Sequence, residues 1–291
     1  MKVSLVYNPD AGDGVSSHEL QQTLAAGGYD VVHVLEKTPD IEQAMKDEAD
    51  MVLVAGGDGT VARAAIAMRQ QPLPLAILPM GTANNIASTL GLIRPLPDLM
   101  NRWRANYIRK IDLGLAAGIG QSKHFIEGVG GGLITAGIAA MDRDPRGQFD
   151  EANESLQRAI RTYLKVLSAS SAHRVSVKID DEDMRVEDLL LFEVLNTRSV
   201  GANVVVSRDA EPDDGWFSVV MAGEEHRAHL TNYLQQRIDG VAGHLMLPTR
   251  RAQRVQVQGW NEVHIDDEVR STPAGQLLDL RMCPAMVNML V

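Results

Sequence analysis

Met51-Val52-Leu53-Val54-Ala55-Gly56-Gly57-Asp58-Gly59-Thr60-Val61-Ala62-Arg63 is the stretch on which the reading of this chain turns. Its unbroken apolar opening reads as a strand buried on both faces, the pattern of a parallel sheet. The glycines that follow permit a turn tight enough to bring backbone N–H groups against an anion. The helix expected after them, with Thr60 suited to its cap, adds partial positive charge at its N-terminus. Asp58 sets a carboxylate beside the expected phosphates, where it can hold Mg²⁺ or accept the proton of an attacking hydroxyl. No Gly-Lys-Ser/Thr follows, so the loop is not a Walker A motif. Taken alone, it reads equally well as an ordinary βα turn.

The flanking sequence alternates strand and helix signals. Val3–Tyr7 is a short apolar run ended by Asn8-Pro9, and Ser16-Ser17 cap a helix through Ala26 that Gly27-Gly28 stop. Asp30–Leu35 reads as a strand, Thr38-Pro39 open a helix to about Glu48, Val61–Gln70 continue as a helix and Leu75–Leu78 return as a strand. This order predicts a mostly parallel sheet covered by helices. Asn8-Pro9-Asp10-Ala11-Gly12 and Leu78-Pro79-Met80-Gly81-Thr82-Ala83-Asn84-Asn85 then fall at the C-terminal ends of the first and fourth strands. Open α/β sheets bind ligands at that edge, so the three glycine-bearing turns point to one phosphate or nucleotide site.

The character changes after Asp112. A glycine-rich stretch from Gly114 to Gly137 and a polar loop around Asp142–Gln148 precede a long helix, about Glu151 to Ser168. Short strands follow at Arg174–Ile179, Leu189–Asn196, Ala202–Ser207, Trp216–Met221, Arg254–Val257, Val263–Ile265 and Leu277–Met282. Many short strands separated by turn residues predict an antiparallel sandwich. The expected organisation is an α/β nucleotide-binding domain over 1–115 and a β-sandwich domain with one long helix over 116–291, its C-terminal segment free to return to the first domain.

A chain of 291 residues, 45% hydrophobic and 23% charged, suits two domains with cores of their own. The net charge of −10 argues against a nucleic-acid surface. Local basic clusters, Arg102-Trp103-Arg104 with Arg109-Lys110 and Arg250-Arg251 with Arg254, leave transient membrane-surface contact open. A single cysteine, Cys283, excludes an internal disulfide and a cysteine-based metal cluster. With neither a signal peptide nor a run of about 20 apolar residues, the expected location is the cytoplasm, with a peripheral position at the inner membrane face left open.

The three turns, in this order and spacing, resemble the catalytic domain of the diacylglycerol-kinase-like lipid kinase superfamily, which includes bacterial lipid kinases, sphingosine kinases and ceramide kinases. Further matches are Ile111-Asp112-Leu113-Gly114, Pro212-Asp213-Asp214-Gly215-Trp216 and His264-Ile265-Asp266-Asp267-Glu268. The resemblance implies an α/β domain with a mostly parallel sheet followed by an antiparallel β-sandwich. It implies an ATP-dependent, Mg²⁺-requiring kinase acting on a lipid or lipid-like alcohol. By the same resemblance Asn8, Pro9, Asp10, Ala11, Gly12, Thr38, Gly57, Asp58, Gly59, Thr60 and Thr82 contact ATP. Asp58, Asp266 and Glu268 supply the catalytic carboxylates, one of them the general base, and Asp214 binds a structural Mg²⁺ with backbone oxygens of Glu211 and Trp216. Four positions depart from the family pattern: Arg63 for Glu, Asn85 for Asp, Glu127 for Asn, and Asp267 for the central Gly of Asp-Gly-Glu. Two other readings stay open: a kinase of a soluble acceptor such as NAD or a polyol, and a nucleotide- or lipid-binding protein that has lost catalysis. Oligomeric state, a homodimer included, is left open.

Overall fold

A computed structural model describes residues 1–11, 15–36, 49–143, 152–241 and 243–291. The first lobe contains β1 (Lys2–Tyr7), α1 (Ser17–Ala26), β2 (Asp30–Glu36), β3 (Met51–Gly56), α2 (Asp58–Ala67), β4 (Leu75–Pro79), α3 (Asn85–Thr89) and α4 (Leu96–Ala105). Its strands pair in the order β2-β1-β3-β4, all parallel. Every residue of β3 is buried, as its uninterrupted apolar run requires of a central strand between two layers. Ser16 and Glu19 form a capping box that starts α1, which buries Leu20 and Leu24. On α2 the buried face includes Val61, Ala62, Ala64 and Ala65, small side chains that let the helix lie close on the sheet. The helix expected over 38–48 lies outside the described residues.

One helix here escapes the sequence pattern. The segment 90–99 reads as a connector, yet from Leu96 onward it is α4, with proline in the first turn, burying Leu99, Met100 and Trp103. Proline lacks only an N–H that the first turn would leave unbonded anyway.

The second lobe begins with β5 (Ile108–Ala117), β6 (Lys123–Phe125), β7 (Gly128–Gly132), α5 (Leu133–Arg143), α6 (Ala152–Ala169), β8 (His173–Ile179), β9 (Arg185–Leu189) and β10 (Leu191–Leu195). It continues with β11 (Ser199–Val200), β12 (Val204–Val205), β13 (Phe217–Ala222), α7 (Arg227–Ile238), β14 (Thr249–Ala252), β15 (Arg254–Gln258), β16 (Glu262–Ile265), β17 (Glu268–Ser271) and β18 (Leu277–Leu290). A six-stranded antiparallel sheet, β14-β13-β10-β7-β16-β17, faces β18-β15-β8-β9 across a core that includes Phe125, Phe192, Phe217, Val255 and Leu280. The outer face of the six-stranded sheet is covered by α5, α6 and α7 through Ile134, Ile160, Tyr163 and Leu234. The glycine-rich stretch from Gly114 thus resolves into three strands and a helix.

β18 joins the lobes. It pairs antiparallel with β5 and β15, and its end reaches β4, where Met289 aligns with Leu75. The result is one ten-stranded sheet running from the parallel lobe into the sandwich. The architecture is an α/β domain with a mostly parallel sheet followed by an antiparallel β-sandwich.

Candidate active site

Gly57 caps α2 without a side chain, so no side-chain hydrogen bond covers the helix start. The first N–H groups of a helix have no carbonyl a full turn ahead of them; Thr60 N turns to Gly57 O at 3.0 Å, which leaves those of Asp58 and Gly59 for an anion. The neighbouring turn comes very close: a Cβ on Gly81 would lie 2.5 Å from Gly57 Cα, and Met80 N donates to Gly56 O at 3.0 Å. Only two glycines let these turns meet. The β1 turn is tied in through Asn8, whose Nδ2 donates to Thr60 Oγ1 at 3.2 Å and whose Oδ1 accepts from Asp10 N at 3.1 Å. Ala11 N closes the turn onto Asn8 O at 3.1 Å. The structure therefore gathers Asn8, Pro9, Asp10, Ala11, Gly57, Asp58, Gly59 and Thr60 at one sheet edge, with Thr82 on the adjoining cleft. Gly12 and Thr38 lie outside the described residues.

Carboxylates from both lobes meet beside this turn. Asp58 Oδ1 accepts from Ile86 N at 3.1 Å. Burial pushes the Asp58 carboxyl above its ordinary range, the backbone amides of residues 84–86 oppose this, and the nearby Asp267 charge adds to it. Asp266, at the β16–β17 turn, turns its carboxylate back onto the amides of Ile126, Glu127 and Gly128 at 3.2, 2.8 and 3.3 Å. Burial nevertheless raises its pKa to about 6. Asp267 lies against α2, its Oδ2 only 2.5 Å from where a Cβ on Gly59 would stand. A carboxylate at an anion-binding turn repels phosphate unless a cation lies between them.

The four departures fall into two contacting groups. Asn85 Nδ2 donates to Glu127 Oε2 at 3.0 Å, so these two departures meet as one hydrogen-bonded pair of amide and carboxyl. Asn85 also donates to Gly201 O at 3.1 Å and accepts from Ser199 Oγ at 2.9 Å. Glu127 is held well above the usual carboxylate range by burial, then by the charges of Asp58 and Asp266. Arg63 and Asp267, the other two, both lie against Gly59. Arg63 also donates to Thr60 Oγ1 at 3.4 Å.

A cleft of about 320 Å³ opens from these groups into the second lobe. Asp58, Asn85, Glu127, Asp266 and Asp267 stand along it, and Ile138 and Met141 of α5 with Leu156, Ala159 and Tyr163 of α6 give it an apolar wall. Sequence reading missed this wall. Its α6 half lies on the long helix expected from the sequence, while the signal for the α5 half, the helical spacing of apolar residues in 133–143, is hidden behind the glycines.

One of the sequence expectations lands elsewhere. Glu268 is half-exposed and ion-paired with Lys123 Nζ at 2.8 Å and with Arg270, away from the cleft lining. Successive residues on a strand point to opposite faces, so a turn that sends Asp267 onto Gly59 leaves Glu268 to the other side. The 211–216 loop is stitched by arginines. Arg109 pairs with Glu211 and Asp213, Arg198 with Glu211, and Arg251 with Asp214 at 2.6 Å. The second Asp214 oxygen takes Trp216 N at 3.0 Å, and the Arg251 guanidinium stacks 5.3 Å over the Trp216 ring. Both oxygens of the Asp214 carboxylate are thus engaged, one by Trp216 N–H and the other by Arg251. Other arginines of the basic clusters are likewise engaged: Arg104 stacks on Tyr29, Arg250 pairs with Glu182 and Arg254 with Asp279.

Among the described residues no three His, Cys, Asp or Glu side chains form a metal cage. The cleft suits instead the manner in which Mg²⁺ accompanies a nucleotide, with one or two carboxylates completed by phosphate oxygens and water. Asp267, at the anion-binding turn, is the residue placed to contribute.

Residues 2–116 match the diacylglycerol kinase catalytic domain, and residues 132–291 match the YegS C-terminal NAD kinase beta sandwich-like domain. A diacylglycerol kinase of Mycobacterium tuberculosis is 27% identical over 276 residues, covering 88% of this chain and 85% of its own. One from Staphylococcus saprophyticus is 22% identical over 296 residues, covering 96% and 93%. Among solved structures, a diacylglycerol kinase from Bacillus anthracis covers 99% of this chain and 96% of its own, with a TM-score of 0.72 and 20% identity. An NAD kinase from Archaeoglobus fulgidus in complex with ATP covers 100% and 94%, with a TM-score of 0.53 and 10% identity. At such identities the structural likenesses speak for the fold.

Proposed function

Because the chain belongs to the family in which a diacylglycerol kinase catalytic domain precedes the YegS C-terminal NAD kinase beta sandwich-like domain, we propose that it transfers the γ-phosphoryl group of MgATP to a hydroxyl of a lipid or lipid-like alcohol. The observation that carries this reading is the two-ended cleft, with carboxylates beside an anion-binding turn at one end and the apolar α5–α6 wall at the other. An alkyl chain covers that wall. NAD or a small polyol leaves it wet, at a cost of about 25 cal/mol for each Å² of apolar surface left exposed.

The triphosphate lies on the open N–H groups of α2 between the β1 and β4 turns. When bound with it, Mg²⁺ offsets the phosphate charge, and Asp267 is the carboxylate that holds it. Asp58 is the general base. One of its oxygens is fixed by Ile86 N–H, the other accepts the acceptor's proton, and burial makes the carboxylate more basic than an exposed aspartate. The alcohol oxygen then bonds to the γ-phosphorus as the bond to the β-phosphate oxygen breaks, and ADP leaves. The rest of the rate comes from positioning and charge neutralisation.

Among the described residues the charged lining of the cleft consists of Asp58, Glu127, Asp142, Asp266 and Asp267, with no Lys or Arg. That sign favours a neutral or cationic head group, diacylglycerol-like or sphingoid-like, over an anionic lipid, and the acceptor is met at a membrane surface. The test is ADP release from MgATP with acceptors in mixed micelles, comparing wild type with Asp58→Asn. The panel is diacylglycerol, monoacylglycerol, sphingosine, ceramide, phosphatidylglycerol and NAD. Turnover with a lipid that Asp58→Asn abolishes supports the assignment. Turnover with NAD alone moves the protein to a soluble acceptor, and ATP binding without turnover leaves a binding protein.

A further inference from the structure

Glu193, Gly130 and His264 stand in one row across the six-stranded sheet. Glu193 on β10 and His264 on β16 are both register partners of Gly130 on the intervening β7. Next-but-one strands lie about 10 Å apart, and the side chain between them normally blocks contact. Here there is none. His264 Nε2 meets Glu193 Oε2 at 2.9 Å across the gap, and both side chains are fully buried. A Cβ on Gly130 would stand 2.3 Å from the Glu193 carboxyl, so the contact exists only because this residue is glycine.

The catalytic scheme above uses neither group. The far side of the ring supplies the connection. His264 Nδ1 lies 2.9 Å from the Asp266 carbonyl oxygen. A carbonyl only accepts, so Nδ1 carries the proton and donates it. Asp266 has φ +52°, the left-handed region that a non-glycine residue keeps only when its surroundings hold it there. The backbone on either side of this residue sends Asp266 N to Gly128 O at 2.8 Å, the Asp266 carboxylate onto the amides of 126–128, and Asp267 onto Gly59. A buried pair of this kind contributes little net stability compared with apolar side chains, and among the described residues Glu193 Oε1 has no hydrogen-bond partner. What it supplies is orientation.

We propose that the buried Glu193–His264 pair, seated over Gly130, is a positioning unit for the catalytic turn. It grips the Asp266 carbonyl and so keeps the left-handed backbone that aims Asp266 at the β6–β7 amides and Asp267 at the nucleotide turn. The proposal rests on the assignment of the 265–267 turn to the kinase cleft, and its test separates the two.

Four proteins are compared: wild type, His264→Phe, Glu193→Leu and the conservative Glu193→Gln, whose amide still pairs with the ring. Amide hydrogen exchange is followed by mass spectrometry in peptides covering 126–128, alongside kcat and KM with the best acceptor. His264→Phe and Glu193→Leu should speed exchange at 126–128 by about tenfold or more, with the rest of the sheet unchanged. They should lower kcat by roughly 10- to 100-fold with KM within about twofold, since misplacement by an ångström costs that much. Glu193→Gln should restore both readouts. Unchanged exchange at 126–128 overturns the proposal. So does faster exchange spread evenly over the sheet, which marks a purely structural pair. If neither disruptive variant folds, Glu193→Asp, one methylene shorter at the same charge, makes the same comparison. If wild type turns over no acceptor, the kinase reading fails while the exchange arm still decides the positioning role.

Discussion

In the proposed reaction, Asp58 is the residue on which the chemistry depends most. Asp58→Asn keeps the acceptor for Ile86 N–H but cannot take a proton, so kcat should fall by about 10²–10⁴-fold while ATP affinity changes little. Steady-state kinetics with calorimetric ATP titration checks this. Asp266 carries a pH signature. Its folded pKa of about 6 lies above the unfolded value, so the folded state binds more protons between the two. Its contribution to stability therefore falls as pH rises from about 4 to about 6 and is flat beyond, a change of roughly 3 kcal/mol. In metal-free protein, the stability of wild type relative to Asp266→Asn should decline across that window, and a flat difference in denaturant unfolding would contradict it. Asn85 and Glu127 should behave as a pair. Asn85→Asp sets two buried carboxyls together and should cost about 1–3 kcal/mol. The double exchange Asn85→Asp with Glu127→Asn should recover most of that, a coupling that a double-mutant cycle reads directly. The sequence named each departure singly. Only the folded contacts show that Asn85 answers Glu127, because the two are far apart in the chain and meet across the cleft.

At the scale of elements, the nucleotide edge is made by turns rather than by side chains. Gly81→Ala would drive a Cβ to 2.5 Å from Gly57 Cα, and backbone cannot rotate away as a side chain can. It should destabilise the protein by about 1–3 kcal/mol and weaken ATP binding more than tenfold, measured by thermal unfolding and ligand titration. The β-α alternation of the first lobe was legible because its strands are continuous apolar runs and its helices carry caps; Ser16 with Glu19 is an example. α4 and α5 were not legible. Proline at the start of one and glycines around the other are breakers in local terms, and burial of Trp103 and Ile134 overrides them. The β16–β17 turn was recognised as acidic, but which of its carboxylates faces the nucleotide depends on the left-handed backbone at Asp266, which residue type does not announce.

Across the whole molecule, β18 makes the two lobes one sheet. Unfolding should therefore be a single cooperative transition despite two cores. Leu5→Ala in the first core and Phe192→Ala in the second should each lower the same calorimetric peak, by about 2–5 kcal/mol, and two separable peaks would refute the coupling. The sequence by itself determined the β-α alternation of the first lobe, the α/β-then-sandwich class and the three glycine turns at one edge. Those features are written in local periodicity, in turn residues and in the rule that parallel strands bind ligands at their C-terminal ends. Tertiary structure alone decided that Asp267 rather than Glu268 joins the cleft, that arginines take up the 211–214 carboxylates, and that Glu193 reaches His264 over a glycine. Each of these is a contact between residues distant in the chain, fixed by strand register and by the absence of one Cβ, and no local pattern records either.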